Sequence, residues 1–291
     1  MWSPDRVYFG PAGIPTTVRK GGLTEGILEV KRLGLDAMEI EFVRSIFLGE
    51  KSAAEIRKLR EQLGMVLTVH APYYINLNSP EEAKVKASIE RIVKSAEIGY
   101  KAGAWSVCFH AGYYGDNEAG ATYLKVKEGL QLALKHLRDE GVEIWLRPEV
   151  LGKPSEFGSL EEVIKLSQEL EGVLPVIDFA HLHARTGGSL KRYQDFASVL
   201  EKLEEALGRH ALDNMHIHVS GIEYGEKGEK RHLNLAESDI EYKLLVKTFR
   251  EFNIKGVVIS ESPNLEQDAL LLKELFYGRR AKPRRKRSRE S

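Results

Sequence analysis

Val66-Leu-Thr-Val-His70-Ala-Pro-Tyr73, then Ser79-Pro-Glu-Glu82, then Val85, Ile89, Ile92, Val93 and Ala96 at helical spacing, carry in sequence the plan of the whole chain. Residues 66–73 are rich in branched and aromatic side chains and read as a strand. Ser79 stands as an N-cap, with Pro80 at the first helical position and Glu82 closing a capping box. The five apolar residues give a helix over 81–98 one face able to cover a sheet. The same unit recurs along the 291 residues, with strand-like runs at 7–13, 37–43, 66–73, 106–111, 143–150, 174–179, 214–219 and 256–260. Helix starts of the same kind occur at Ser52-Ala-Ala-Glu55, Ser159-Leu-Glu-Glu162 and Asn264-Leu-Glu-Gln267. Parallel strands need helical crossovers and eight close into a filled cylinder, so the expected fold is α/β, a single-domain (β/α)8 TIM barrel over residues 1–277. An open doubly wound sheet is the runner-up, and its nucleotide-binding forms lose support because neither a G-x-G-x-x-G nor a G-x-x-x-x-G-K-[ST] run is present.

At 42% hydrophobic the chain can bury a large core, and it has no run of about 18 apolar residues that would span a membrane. The start, Met1-Trp-Ser-Pro-Asp-Arg6, has no apolar signal core. Cys108 is the one cysteine, which excludes an intrachain disulfide and suits a cytoplasmic location. The formal net charge of zero hides an asymmetry: residues 278–291 hold eight basic residues and one acid, leaving 35 basic and 42 acidic residues elsewhere. That tail is expected to stay solvated and disordered and to attract the phosphates of a nucleic acid.

In a barrel the reactive groups come from the C-terminal ends of the strands. The third run carries His70 and Tyr73, the fourth His110, the fifth Arg147 and Glu149, and the sixth Asp178, His181 and His183. The seventh carries His216 and His218 and is followed by Glu229 and His232; the eighth ends in Glu261. Seven of the nine histidines thus fall at strand ends or just beyond them. Imidazoles and carboxylates gathered on one rim are costly to desolvate without a compensating charge, which divalent metal ions supply.

The blocks His70-Ala-Pro-Tyr73-Tyr-Ile-Asn76-Leu, Asp178-x-x-His181, Met215-His216, Arg231-His232 and Glu261-Ser-Pro resemble the endonuclease IV family of DNA-repair enzymes, within the xylose-isomerase-like barrels. The resemblance implies a zinc centre of up to three ions, with manganese as a partial substitute. By position, His70, His110 and Glu149 would hold one ion; Glu149 would bridge to a second held by Asp178, His216 and Glu261; His181 and His232 would hold a third. The family places Asp-x-His at that third site, whereas this chain reads Glu229-Lys-Arg-His232, which makes Glu229 the candidate ligand, with Glu223 and Glu226 as fallbacks. Glu149 and Glu261 would carry catalysis, and His183 and His218 would orient ligands or touch substrate. Tyr73 would enter double-stranded DNA beside an abasic site, and Arg44, Arg147, Lys153 and Arg185 would reach phosphates. The implied activity is hydrolysis of the phosphodiester 5′ to the abasic sugar. A different class fits the same barrel: a sugar isomerase or epimerase with one ion on Glu149, Asp178, His216 and Glu261. The surplus histidines favour the nuclease. A catalytically silent nucleic-acid-binding module would account for the tail but not for the rim.

Overall fold

The computed structural model describes residues 2–278, and the basic stretch 279–291 lies outside them. The strands are β1 (Val7–Pro11), β2 (Ala37–Glu41), β3 (Val66–His70), β4 (Ser106–Phe109), β5 (Trp145–Pro148), β6 (Val176–Asp178), β7 (Met215–Val219), β8 (Gly221–Gly225), β9 (Gly228–Leu233) and β10 (Gly256–Ser260). Seven of them, β1 to β7, together with β10 answer the eight expected runs. They form two parallel sheets, β1-β10-β7-β6 and β2-β3-β4-β5. Single parallel bridges join these into a closed barrel: Ala12 to Glu39 links β1 with β2, and Leu146 to Val173 and Glu149 to Val176 link β5 with β6. β8 and β9 make an antiparallel hairpin that stands on the C-terminal rim after β7.

Alternation along each strand divides the side chains. Outward-facing residues such as Met38, Ile40, Leu67, Val69, Val107, Ile217 and Val258 pack beneath the helices in the main core. Inside, Ala37, Val66, Trp105, Val257 and Ile259 form an apolar plug. Other barrel-lining positions are polar, and Glu39, Thr68, Arg147, His216 and His218 are all buried.

Of the four expected helix starts, one is seen as read. Ser159 accepts from the N–H of Glu162 and Glu162 accepts from the N–H of Ser159, opening the helix Leu160–Glu169. Ser79 instead ends a turn by accepting from the N–H of Glu81, and its helix begins at Glu82. Ser52 lies inside a helix that starts at Glu50 behind Gly49. Asn264 donates to Asp268 one turn ahead of the helix Glu266–Tyr277. Propensity marked the right neighbourhood, and tertiary packing chose the first turn.

Candidate metal centre

Glu149, at the end of β5, is buried, and its two carboxylate oxygens face opposite sets of imidazoles. Oε2 lies 3.3 Å from His70 Nε2 and 3.3 Å from His110 Nε2. Oε1 lies 3.2 Å from His218 Nδ1 and 3.2 Å from His181 Nδ1. His70 donates its Nδ1–H to the Ala71 carbonyl at 2.8 Å, which leaves Nε2 as the nitrogen aimed at Glu149. The Cys108 thiol, two residues before His110 and therefore one layer lower, donates to the same Glu149 oxygen at 3.2 Å. Cys108 was not expected at this centre, although the period of two in Cys108-Phe-His110 carries the signal.

On β7 the structure brings His218 to the carboxylates and leaves His216 below them. His218 Nδ1 is 3.3 Å from Glu261 Oε1, and Glu149, Asp178, His218 and Glu261 form one compact set of donors. The reason is register: His218 pairs with Asp178 at the end of β6, whereas His216 pairs with Val176, two residues deeper. This corrects the expected assignment of His216 to that set. His216 contacts Glu39 and Ser106 instead.

Asp178 does two things. Its Oδ1 caps the short helix Phe179–Arg185 by accepting from the N–H of His181 at 2.6 Å, while Oδ2 is buried without a hydrogen-bond partner. His181 Nδ1 donates to the Val150 carbonyl at 3.1 Å and His232 Nδ1 donates to the Glu261 carbonyl at 3.2 Å. A carbonyl can only accept, so both rings carry a proton on Nδ1. Their Nε2 atoms nevertheless face each other at 3.1 Å, with Glu229 Oε2 3.5 Å from that of His181. Two nitrogen lone pairs at that distance repel unless a cation or a shared proton lies between them.

Glu229 is delivered there by the hairpin. Its N–H donates to the Gly152 carbonyl, and the approach needs glycine on both sides. A Cβ on Gly152 would meet the Glu229 side chain at 2.7 Å, and one on Gly228, whose φ is +86°, would meet the Gly152 oxygen at 2.3 Å.

Two carboxylates that sequence reading missed come from β2. Glu39 is completely buried between His216 and His218, and Glu41 lies beside Glu39 and Glu261. In Ala37-Met-Glu39-Ile-Glu41 both acids fall on one face, which in a closed barrel is the inner one.

Burial opposes charge on Glu149, yet the neighbouring His218, His110 and His181 outweigh it and hold the acid well below the usual range. Burial alone would push His218 and His181 down, but the facing carboxylates drive both well up. Burial, with the charges of Glu149 and Asp178, drives Glu261 well up, and burial lifts Glu41 to about 7. The site therefore holds more acid than its own imidazoles neutralise. Together with the Asp178 oxygen that accepts no hydrogen bond, the nitrogen, oxygen and thiol donors fit zinc-like divalent ions.

The expected phosphate-reaching residues divide. Arg147 is fully buried, donates to the carbonyls of Pro175 and Asn214, and lies 4.5 Å over the Trp105 ring; two positions before Glu149 is too deep to reach DNA. Arg185 is half-buried and ties the carbonyls of Leu151, Lys153 and Glu156 with one guanidinium nitrogen, so it fixes the loop after β5. Lys153 remains on the rim beside Glu156, and Arg44 is exposed after β2. Tyr73 is 47% exposed with its ring 5.2 Å from His70 and 5.5 Å from His110. His183 neither joins the donor sets nor faces the rim opening: Nδ1 accepts from the N–H of Leu190 and Nε2 donates to Asp239 at 3.1 Å.

The chain is 41% identical to an uncharacterized protein of Methanocaldococcus jannaschii over 93% of this chain and 97% of that one. It is 30% identical to the probable endonuclease 4 of Staphylococcus carnosus over 62% of this chain and 60% of that protein. Among solved structures, endonuclease IV from Thermus thermophilus matches with a TM-score of 0.71 at 24% identity, covering 93% of this chain and 97% of that one. A D-tagatose 3-epimerase-like protein matches with a TM-score of 0.69 at 22% identity, covering 91% and 95%. At these identities the two structures speak for the fold alone. Residues 27–279 match the family model of the xylose isomerase-like TIM barrel, and the chain belongs to that family.

Proposed function

We propose that the chain is a zinc-dependent phosphodiesterase that cuts double-stranded DNA 5′ to abasic sites. The observation that carries this reading is the surplus of donors: His181 and His232, whose Nε2 atoms face each other beside Glu229 and group with Glu261, stand next to the set of Glu149, Asp178, His218 and Glu261 and share Glu261 with it. With His70 and His110 on the other oxygen of Glu149, the rim has donors for more than one ion, and Glu149 stands where a bridging carboxylate would. When bound, such ions would activate water as the nucleophile and stabilise charge on the phosphoryl oxygens.

The chain's own residues would do the rest. The backbone carbonyls of Ala71, Val150 and Glu261 fix which nitrogen each of His70, His181 and His232 presents. Tyr73, half-exposed on the rim, would stack against the duplex opened at the lesion, where the extruded sugar has no base pair to lose. Arg44 and Lys153 would bind phosphates, and the basic residues of 279–291 would add a salt-dependent grip.

The compact four-donor set supports a second reading, a sugar isomerase or epimerase with a single ion. Metal analysis of purified protein together with an abasic-site duplex separates the two. More than one zinc per chain with cleavage 5′ to the lesion supports the nuclease; one ion per chain and an uncut duplex removes it.

A further inference from the structure

We infer that a divalent cation binds inside the barrel below the rim, held by both carboxylate oxygens of Glu39 and by Nε2 of His216 and of His218. The position needs none of the rim ions and goes beyond the proposed cleavage reaction. Glu39, in the middle of β2, and both histidines of β7 have no exposed surface. Glu39 Oε1 is 2.8 Å from His218 Nε2, and Oε2 is 3.0 Å from His216 Nε2. These separations would suit hydrogen bonds, yet none forms, and all four atoms are buried without a hydrogen-bond partner.

Closeness without alignment is what coordination produces. A zinc-like ion binds imidazole nitrogen and carboxylate oxygen at about 2.0–2.2 Å, so neighbouring donors around it lie about 3 Å apart. The ion then stands about 45° off the line joining the two donors, and a nitrogen aimed at it points past the facing oxygen. A hydrogen bond needs the nitrogen aimed at the oxygen itself. The far nitrogens are already engaged. His218 Nδ1 is hydrogen-bonded to Glu149 Oε1 at 3.2 Å, and because a carboxylate only accepts, the hydrogen is on Nδ1. His216 Nδ1 is hydrogen-bonded to Ser106 Oγ at 3.0 Å, a hydroxyl able to accept its N–H. With hydrogen on Nδ1 in each ring, both Nε2 lone pairs and the carboxylate face one another, which repels unless a positive charge lies among them. The facing carboxylates draw a second proton onto His218 in the metal-free chain, and the ion takes that proton's place on Nε2. Two histidines and a carboxylate are a donor set for zinc, manganese or iron(II). An ion there ties β2 to β7 across the barrel, strands that belong to different sheets.

Zinc-soaked crystals of the full chain, measured on both sides of the zinc absorption edge, give the direct test. An anomalous peak about 2 Å from the Glu39 carboxylate and from Nε2 of His216 and His218 is expected. Absence of that peak, with or without peaks on the rim, overturns the inference. Zinc content in solution is the second test. His216→Gln removes a donor that register keeps off the rim, so elemental analysis after dialysis at limiting zinc is expected to find one zinc per chain fewer than in wild type. Unchanged zinc in this variant overturns the inference, and if the variant does not fold, the wild-type crystal decides alone. A filled interior position with an abasic duplex left uncut would remove the nuclease reading and leave this one standing. A cut duplex with no interior peak would do the reverse.

Discussion

On one side of the rim His70, His110 and Glu149 follow β3, β4 and β5, and each is held at its height by the parallel register of neighbouring strands. On the other side Glu229 and His232 ride on the hairpin β8–β9, whose outer residues are exposed and whose register slips at Glu223 and Tyr224. The first group is positioned by the same hydrogen bonds that make the barrel, so it cannot move without unfolding. The second is positioned by tertiary contacts outside the barrel ladder: Gly152 under Glu229, and the Glu261 carbonyl on His232. A donor on the barrel is therefore a property of the fold, and a donor on the hairpin is a property of the loop. Substitutions on the two sides should differ in kind.

The largest effect is expected at the point both sides share. Glu149→Gln removes the charge facing four imidazoles and, under the proposed function, should reduce cleavage of an abasic duplex by about three orders of magnitude or more, since several kcal/mol of transition-state stabilisation would depend on ions bridged by this carboxylate. Single-turnover kinetics with saturating enzyme would measure it. A variant that still cuts at the wild-type rate would remove Glu149 from the reaction. Glu229→Gln should act on the hairpin side alone. If the proposed zinc reading holds, an ion bound at His181 and His232 is expected to weaken at least about tenfold, while zinc content at the other positions is unchanged. Stoichiometry by elemental analysis after dialysis at limiting zinc would show it, and a fall at every position would erase the distinction between the two sides.

That distinction also governs what the sequence could reveal. All eight barrel strands were legible, because each is a short run of branched residues bounded by turn and cap signals. Most rim residues were legible too, because a strand end is a sequence position. Depth within the barrel was not. His216 and His218 share a face, and so do Arg147 and Glu149, but which member of each pair reaches the rim is decided by pairing with another strand. Nothing local to Met215-His216-Ile-His218 contains that information. Glu39 and Glu41 were passed over for a related reason: acids alternating with apolar residues suggest a strand with one wet face, and only closure of the barrel turns that face inward. The hairpin is not among the expected strands, and Glu229 is picked out by likeness to a family pattern rather than by any local rule.

The smallest effect tests how the hairpin is tied down. Asp239 accepts from His183 Nε2 at 3.1 Å, from the Tyr224 hydroxyl of β8 at 2.8 Å and from Lys191 Nζ at 2.7 Å. Burial works against its charge, but Lys191, Tyr224 and His183 prevail and lower its pKa to about 2, beneath the roughly 3.9 of an unfolded aspartate. A carboxylate with a depressed folded-state pKa stabilises the protein above the unfolded value, and that contribution is lost as pH falls from about 4 toward 2. Because the side chain is 45% exposed, solvent screening cuts the contribution well below its full linkage value, to about 1 kcal/mol. Asp239→Asn should cost that amount in urea unfolding of the metal-free protein at pH 7, and the two unfolding curves should converge near pH 2. Loss of the same size at every pH would place the effect in packing rather than charge. If the tether also holds the hairpin over His181, the variant should weaken the zinc near Glu229 while the ions beside His70 and His110 stay bound. Equal retention at both would show that Gly152 and Glu261 hold the hairpin without help from Asp239.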